Sequence, residues 1–424
     1  MLAMKASHSL LSRTTLFSNY RQGVFFLGFL CLLFTLSVLN QYQLYQKITQ
    51  FDDYITRAWV ENQYVKNDKW VLKLQSEDGF SFYTTSKDDL IPLSGYGVEV
   101  KIFTGKLSFF SFLKGFYVPS KILAKLEDKQ ERYILMEELS HMHQNSTAPL
   151  FKALFFAGPI DKLTRDKLSA WGINHLLAIS GFHLGVLSGI LYFVLRLIYR
   201  PFQSRYFPYR HGNRDIAIVV FFLLLVYLYF LNIVPSLLRA FAMSVFAYVL
   251  YDRGVKVLSF SSLGMVVCFL IAMWPKLLFA LGFWFSVAGV FYIFLFLYHM
   301  KDLKLWQSFL LLHIWVYMAM LPLVHYFYGT FSLYQLTSPV LTMLFILFYP
   351  TELFLHLIGE GNILDFGLEW LLNLEIHVVQ IFVNIWMLIL YIILSVLAIF
   401  DKRLFYLLGF FCIGLLGYFL YGIA

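Results

Sequence analysis

The sequence predicts a polytopic α-helical membrane protein, with about ten transmembrane or re-entrant helices and a small β-domain near the N-terminus. The first supporting observation is composition: 60% of the 424 residues are hydrophobic, 14% are charged, and the mean hydropathy is +0.69. A soluble domain carries about 25% charged residues. The second is order, because a polar region over residues 40–170 separates one short apolar stretch from a nearly unbroken hydrophobic region. An ordinary soluble protein is therefore excluded.

Charge and cysteine content say less about function. The formal net charge of +8 is weak evidence for a nucleic-acid partner, because the cytoplasmic loops of membrane proteins are themselves rich in Lys and Arg. The three cysteines, Cys31, Cys268 and Cys412, all lie in apolar stretches. The sequence therefore predicts no disulfide framework.

The first segments are a cytoplasmic N-terminus, residues 1–22, and a transmembrane anchor, residues 23–39. The apolar stretch follows Lys5, Arg13 and Arg21, and no small-x-small cleavage pattern comes after it. Basic residues before an apolar segment favour the cytoplasmic side. We therefore interpret this stretch as a retained signal anchor.

Residues 59–118 predict a small β-domain, placed by the anchor on the periplasmic side. Short segments alternate apolar and polar side chains, and Asp78-Gly79 between two of them is typical of a hairpin turn. An OB-like β-barrel fits this pattern, and a generic small β-domain fits it almost as well. OB domains bind single strands by stacking bases on aromatic side chains. Because seven Lys balance seven Asp and Glu here, we expect the aromatics to belong mainly to the core. The aromatics concerned are Trp70, Phe80, Phe82 and Tyr83.

Residues 121–170 predict amphipathic helices that lie on the membrane surface, because leucine and isoleucine recur at helical spacing among charged residues. We expect residues 174–424 to form a multi-helix membrane domain, because the apolar runs there are long enough to cross a hydrocarbon core of about 30 Å. We place these runs at 174–199, 216–232, 235–251, 257–274, 277–299, 307–328, 335–357, 376–399 and 404–423.

The distribution of Lys and Arg tests this topology. The basic loop 200–214 falls on the cytoplasmic side, as the N-terminal orientation requires. Simple alternation of spans would put Lys402 and Arg403 outside. We therefore expect the segment 335–357 to enter and leave on the same face, which returns this pair to the cytoplasm and places the acidic stretch 360–375 outside.

The most unusual segment is 175–185, where two histidines, a serine and two glycines interrupt an apolar span. Polar groups in a membrane tend to face an interior or a watery path, and close helix packing explains them equally well. A continuous helix would separate His175 from His183 by about 12 Å, too far to share one metal ion. A break at Ser180-Gly181 would bring them closer and expose backbone N–H groups to a phosphate.

Two further residues are candidates for a polar path. Arg239 falls in the first turn of a helix that begins at Pro235, where an Arg pairs, lines water or extends to the interface. His325 lies similarly near the end of an apolar run. A serine hydrolase at Ser180 is disfavoured, because the glycine of a nucleophile elbow and an orienting carboxylate are both missing nearby. No P-loop and no metal-hydrolase motif occurs in the sequence.

The run His-Leu-Leu-Ala-Ile-Ser-Gly-Phe-His-Leu-Gly at 175–185 resembles the most distinctive motif of the ComEC-type competence family, which reads close to His-Leu-Leu-Ala-Ile-Ser-Gly-Leu-His-Val. Segment 234–240 is similar to the family's Pro-Ser-x-x-Arg-Ala. Segments 274–289 and 322–333 resemble its later blocks. In the family an aspartate more often precedes the proline that corresponds to Pro275, where this chain has Trp274. Together they cover roughly 155–345. Many members add a metallo-β-lactamase-like nuclease domain, and we expect this chain to be the short form without it.

The resemblance implies an inner-membrane channel that passes single-stranded DNA into the bacterial cytoplasm during natural transformation, with no enzymatic activity and no cofactor. It implies a DNA path with these candidates: His175, Ser180, Gly181, His183, Arg239 and His325. Expected partners are single-stranded DNA, membrane lipid, a periplasmic DNA-binding competence protein and a cytoplasmic helicase; an oligomer is compatible with the sequence.

Two alternatives remain open. The first is a secondary transporter for a smaller anionic solute. The second is an intramembrane enzyme for lipid or cell-wall precursors, which would need acidic pairs near a membrane face. The nearest acids to that requirement are Glu352, Glu360 and Asp365.

Overall fold

The computed structural model describes residues 20–86, 92–177, 179–253 and 259–422, which form two compact units. The β-unit comprises Phe17–Asp161 together with Val267–Leu281. The helical unit comprises Lys162–Val266 together with Gly282–Ala424. The predicted cytoplasmic segment 1–22 lies outside the described residues except for its last three.

The β-unit starts with a long helix and continues into a six-stranded mixed sheet of order β5-β3-β2-β1-β4-β6. Neighbouring strands are antiparallel, except that β3 and β5 are parallel. The elements are α1 (Tyr20–Thr49), β1 (Asp53–Lys66), β2 (Lys69–Ser76), β3 (Ser81–Ser86), β4 (Tyr96–Phe103), α2 (Phe109–Lys114), β5 (Phe116–Tyr117), β6 (Ser120–Lys129), α3 (Glu131–His141) and α4 (Ala148–Phe156).

The predicted Asp78-Gly79 turn joins β2 to β3. Gly79 adopts φ +88°, a conformation that glycine reaches without strain, and its N–H donates to the Ser76 carbonyl oxygen over 3.1 Å. Strand alternation then turns Phe80 and Phe82 into the core, where they are 1% and 0% exposed, and leaves Tyr83 on the surface. The interpretation of Phe80 and Phe82 as core residues is confirmed.

The β-domain is larger than predicted, because its strands run from Asp53 to Lys129 rather than over 59–118. The prediction of a helix from residue 121 was wrong for the first part of that segment. Residues 120–129 form β6, which pairs with β4, and helix begins only at Glu131. The open edge of β4 supplies hydrogen-bond partners that decide the conformation of a segment whose own pattern fits either structure.

The segment Val267–Leu281 belongs to the β-unit although it is distant in sequence. The ring of Phe279 meets Phe110 edge to face at 5.3 Å, and Lys276 Nζ lies 4.9 Å from the ring centre of Phe112. Pro275 and Leu277 are buried there. Contacts between this segment and α2 therefore complete the packing of the unit.

The helical unit contains most of the apolar sequence. Its elements are α5 (Lys162–Ala170), α6 (Asn174–Leu177), α7 (Gly181–Tyr206), α8 (Gly212–Phe230), α9 (Pro235–Asp252), the first part of α10 (Phe260–Met273), α11 (Leu281–His299), α12 (Leu305–Phe327), β7 (Thr330–Phe331), α13 (Ser338–Leu357), α14 (Asp365–Asn373), β8 (Val379–Gln380), α15 (Ile385–Leu397) and α16 (Lys402–Tyr421). Short 3₁₀ turns occupy Pro275–Phe279 and Leu333–Thr337.

Seven helices among the described residues are long and apolar enough to cross a membrane. They are α1, α7, α8, α11, α12, α16 and the segment Leu333–Leu357 that contains α13. Helices α10 and α15 are apolar but shorter, and α9 is not among the seven. These helices confirm the prediction of a polytopic helical membrane protein.

Two contacts define the ends of the later helices. β7 pairs with β8 through Thr330 and Gln380, so the excursion through α13 and α14 starts and finishes at the same end of the helical unit. His299 Nε2 donates to the Ala398 carbonyl oxygen over 2.7 Å, which puts the turn before α16 beside the C-terminal end of α11. The expectation that 335–357 enters and leaves on one face stays a prediction.

Candidate functional site

Segment 174–199 is not one continuous helix. Helix α6 ends at Leu177, Ile179 and Ser180 are not helical, and α7 begins at Gly181. Ser180 is the N-cap residue, with extended backbone angles of φ −120° and ψ 177°. Serine followed by glycine favours this geometry, because serine caps a helix well and glycine disfavours continuous helix. The segment is therefore two helices and not the single span that we predicted.

His183 closes the cap of α7. The backbone N–H of Ser180 donates to His183 Nδ1 over 3.1 Å, and Ser180 Oγ lies 3.0 Å from the same nitrogen. Because Nδ1 accepts, the neutral ring carries its hydrogen on Nε2. Nε2 is enclosed and has no hydrogen-bond partner among the described residues. The cap therefore leaves one buried donor free next to the helix N-terminus.

The N-terminus of α7 lies inside the helical unit, some distance along α13 from the residue at which α13 begins. The His183 ring packs against Phe345 and Tyr349 of α13, with ring centres 5.4 Å and 4.6 Å apart. These residues follow Ser338 by two to three turns, which corresponds to a depth of about 10–16 Å along α13. A helix that begins inside a bundle directs its free N–H groups and the positive end of its dipole into the interior.

The helix that carries Arg239, α9, packs against the start of α7. A Cβ at Gly181 would lie 3.7 Å from Ala240 Cβ, so the first turns of α7 and α9 pack together. Arg239 is 8% exposed, and its guanidinium carbon lies 5.9 Å from the ring centre of Phe283. No acidic side chain pairs with it in the part of the chain that the structure describes, and its enclosed Nε has no hydrogen-bond partner. A buried cation without a counter-charge is costly, and such residues usually serve a ligand.

His175 contacts α13 through a different residue from those that His183 contacts. It is exposed on α6, and its Nε2 lies 3.4 Å from Thr342 Oγ1 on α13. Across the described ranges no group of three metal-ligating side chains occurs, so these residues do not form a metal site of that kind. The helix break thus produces a polar N-terminus at Gly181.

His325 has the contacts of a core residue. It is 1% exposed, its Nδ1 donates to the Ile381 carbonyl oxygen over 3.2 Å, and its ring packs against Phe419 with centres 4.3 Å apart. The backbone N–H of Val383 also donates to the His325 carbonyl oxygen. These bonds fix the chain after β8 against α12, which is a structural role.

The Ser180–His183 contact does not form a hydrolytic triad. A catalytic histidine needs a carboxylate on the nitrogen opposite the nucleophile. His183 contacts Ser180 through Nδ1, and no carboxylate contacts Nε2 among the described residues. The low weight given to a serine hydrolase at sequence level is consistent with this geometry.

Sequence reasoning named Glu352 and Asp365 but did not predict that they are buried. Glu352 on α13 is 0% exposed and Asp365 at the start of α14 is 2% exposed. In the sequence Glu352 lies one turn before the end of an apolar run, where an acid usually reaches the interface. Its burial depends on neighbouring helices, and no signal in the sequence reveals it.

The family relationship follows from the same region. A family model described as competence protein matches residues 157–421, well over half of the chain. The chain belongs to the competence protein family. The matched range contains the α7 N-terminus and Arg239, so both belong to the part of the chain shared with the family. No curated protein and no solved structure gave a significant match.

Proposed function

We propose that this competence-family protein is an inner-membrane channel that passes single-stranded DNA into the bacterial cytoplasm. The observation that carries the proposal is the buried Arg239, unpaired among the described residues, on the helix that packs against the N-terminus of α7. A polyanion cannot cross hydrocarbon, so its path needs positive charge or oriented dipoles at depth. The free N–H groups of α7, the Nε2–H of His183 and the guanidinium supply both.

The β-unit is proposed to be an OB-like domain on the periplasmic side. Its two edge strands, β5 and β6, are separated only by Val118 and Pro119, and they pair with β3 and β4 respectively. A single, nearly continuous stretch of chain therefore forms both edges of the sheet. We expect such a stretch where a β-barrel of the OB type closes. We place the β-unit on the periplasmic side because the basic residues of the loop after α7 favour the cytoplasm for that loop.

The transport step requires partners. The sequence contains no P-loop, so we propose that a cytoplasmic helicase provides the pulling force. A periplasmic DNA-binding competence protein would deliver the substrate, and anionic and zwitterionic lipids would surround the apolar helices. No catalytic step is assigned to the chain.

The test is entry of fluorescent duplex DNA into cells that carry single substitutions. Arg239→Gln should leave DNA in the periplasm and reduce cytoplasmic entry about tenfold or more, because a hydrogen-bonded charge contact contributes about 1.5–3 kcal/mol. Arg239→Lys should retain part of the activity. The matched control is Arg196→Gln, which removes an exposed arginine from α7. Equal entry in Arg239→Gln and the control would contradict the proposal.

The alternatives make different predictions in the same cells. A secondary transporter for a small anion would show saturable uptake that depends on Arg239, with DNA entry unaffected. An intramembrane enzyme would need accessible acids, whereas Glu352 and Asp365 are buried. Normal transformation in a strain that lacks the protein would favour the transporter.

A further inference from the structure

An exposed cluster of aromatic and basic side chains lies on α2 and on the turn before α11, within the β-unit. Phe110 of α2 is 56% exposed, whereas Phe112 is buried in the core. Phe110 meets Phe279 edge to face with ring centres 5.3 Å apart, and Lys114 Nζ lies 4.3 Å and 5.7 Å from these two ring centres. Lys276 lies three residues before Phe279, on the same side of the 3₁₀ turn. We call this cluster the α2 patch, and its members are Phe110, Lys114, Lys276 and Phe279.

The last turns of α1 bring α2 to a defined distance from the membrane. Tyr45 Oη donates to the Leu107 carbonyl oxygen over 2.8 Å, and Tyr42 meets Phe109 edge to face with ring centres 5.3 Å apart. The two tyrosines follow Leu39, the end of the apolar stretch, by three and six residues, which corresponds to a rise of about 5–9 Å. The headgroup layer on each side of a bilayer is about 5–8 Å thick. These contacts therefore place α2 at the level of the lipid headgroups.

A second candidate membrane span begins next to the α2 patch. Phe279 precedes Leu281, the first residue of α11, by two positions, and α11 is long and apolar enough to cross a membrane. Lys301 and Lys304 follow the other end of α11 and favour the cytoplasm, as Arg21 does at the start of α1. The charges therefore predict that α1 ends and α11 begins on the same membrane face, where the patch lies.

The chemistry of the patch matches the surface of a phospholipid bilayer. Neither Lys114 nor Lys276 pairs with an acidic side chain among the described residues. Aromatic rings at the edge of the hydrocarbon core, with lysine stems that carry ammonium groups outward, are typical of a membrane interface. Aromatic and basic side chains also bind single-stranded nucleic acid. The position beside two candidate spans favours lipid.

We propose that the α2 patch is a lipid-binding surface that holds the β-unit on the membrane. Phe110 and Phe279 enter the boundary between headgroups and acyl chains, and Lys114 and Lys276 bind lipid phosphate groups. The inference goes beyond the channel proposal and does not depend on it, because it concerns the protein without DNA.

The first test is photo-crosslinking of the full-length chain in nanodiscs of phosphatidylethanolamine and phosphatidylglycerol, without DNA. The photoreactive residue benzoylphenylalanine replaces Phe110, and mass spectrometry detects lipid attached to peptides that contain α2. The matched control carries the same probe at Tyr64, an exposed aromatic on β1 that lies about 35 Å along the strand from Asp53, next to α1. We expect lipid adducts from the probe at position 110 and only background from the probe at position 64.

Two outcomes of this experiment would overturn the proposal. The first is an equally low yield of lipid adducts from both probe positions. The second comes from illumination in the presence of a single-stranded oligonucleotide. Adducts of the oligonucleotide at position 110, in place of lipid, would assign the patch to nucleic acid.

The second test concerns the two lysines, in the chain that carries the probe at position 110. Lys114→Gln with Lys276→Gln should reduce lipid adducts about fivefold or more, which is the contribution of one lysine near an anionic surface. The control pair, Lys66→Gln with Lys69→Gln, removes two exposed lysines at the turn between β1 and β2 and should leave the yield unchanged. Unchanged adducts in the first pair would overturn the proposal. Melting temperatures in detergent show whether both pairs fold, and Lys114→Gln alone, at an exposed position, gives the same readout if the first pair does not.

Discussion

Two glycines with the same backbone conformation give a direct test of packing in the β-unit. Gly95 has φ +83° and Gly79 has φ +88°, so alanine at either position is strained by about 1 kcal/mol. At Gly79 a new Cβ would meet nothing within 4 Å, whereas at Gly95 it would lie 2.4 Å from Tyr133 Cγ. Tyr133 must then move, although its hydroxyl donates to the Glu61 carbonyl oxygen over 2.6 Å. Overpacking and the lost bond add about 2–4 kcal/mol for Gly95→Ala alone.

The assay is amide hydrogen exchange of the full-length chain in detergent, read on the strand Tyr96–Phe103. Gly95→Ala should speed exchange there by about thirtyfold or more relative to Gly79→Ala, since 2 kcal/mol corresponds to that ratio. Equal exchange in the two variants would show that the Tyr133 side chain moves without a loss of stability, which would refute the reasoning.

Two further predictions concern one acid and one histidine. Burial alone would raise the pKa of Asp78, but hydrogen bonds from Lys47, Tyr54 and Thr56 outweigh it and hold that pKa below its ordinary value. Asp78 therefore stabilises the fold at neutral pH and loses this contribution as the pH falls below about 4; melting temperatures over acid pH should fall less steeply in Asp78→Asn. His325→Gln should lower the free energy of unfolding by about 1–3 kcal/mol and leave DNA entry per folded molecule unchanged. Normal stability with blocked entry would instead place His325 on the DNA path.

Local chemistry made several elements predictable from the sequence. The Asp78-Gly79 turn follows from the conformational freedom of glycine, and the break before Gly181 follows from a serine and a glycine inside an apolar run. The alternation of Phe80 and Phe82 likewise predicts burial on one face of a strand. In each case the determining residues are neighbours in the chain.

Elements that depend on distant partners were not predictable. The strand β6 exists because the edge of β4 is available, and the segment 121–129 alone fits a helix as well. The partner of His325 was not predictable either, because the Ile381 carbonyl oxygen is 56 residues away in the sequence. The burial of Glu352 was not predictable for the same reason, since a sequence does not show which helix covers a side chain.

The place of Pro275–Phe279 in the β-unit limits how this protein can be divided. The family match begins at residue 157, which suggests a cut between an N-terminal domain and a membrane domain. A fragment that starts there would keep Lys276 and Phe279 but lose the α2 side chains that contact them. Exchange of the β-domain between relatives would therefore succeed only when the connection between α10 and α11 is exchanged with it, so the two segments are expected to change together in evolution.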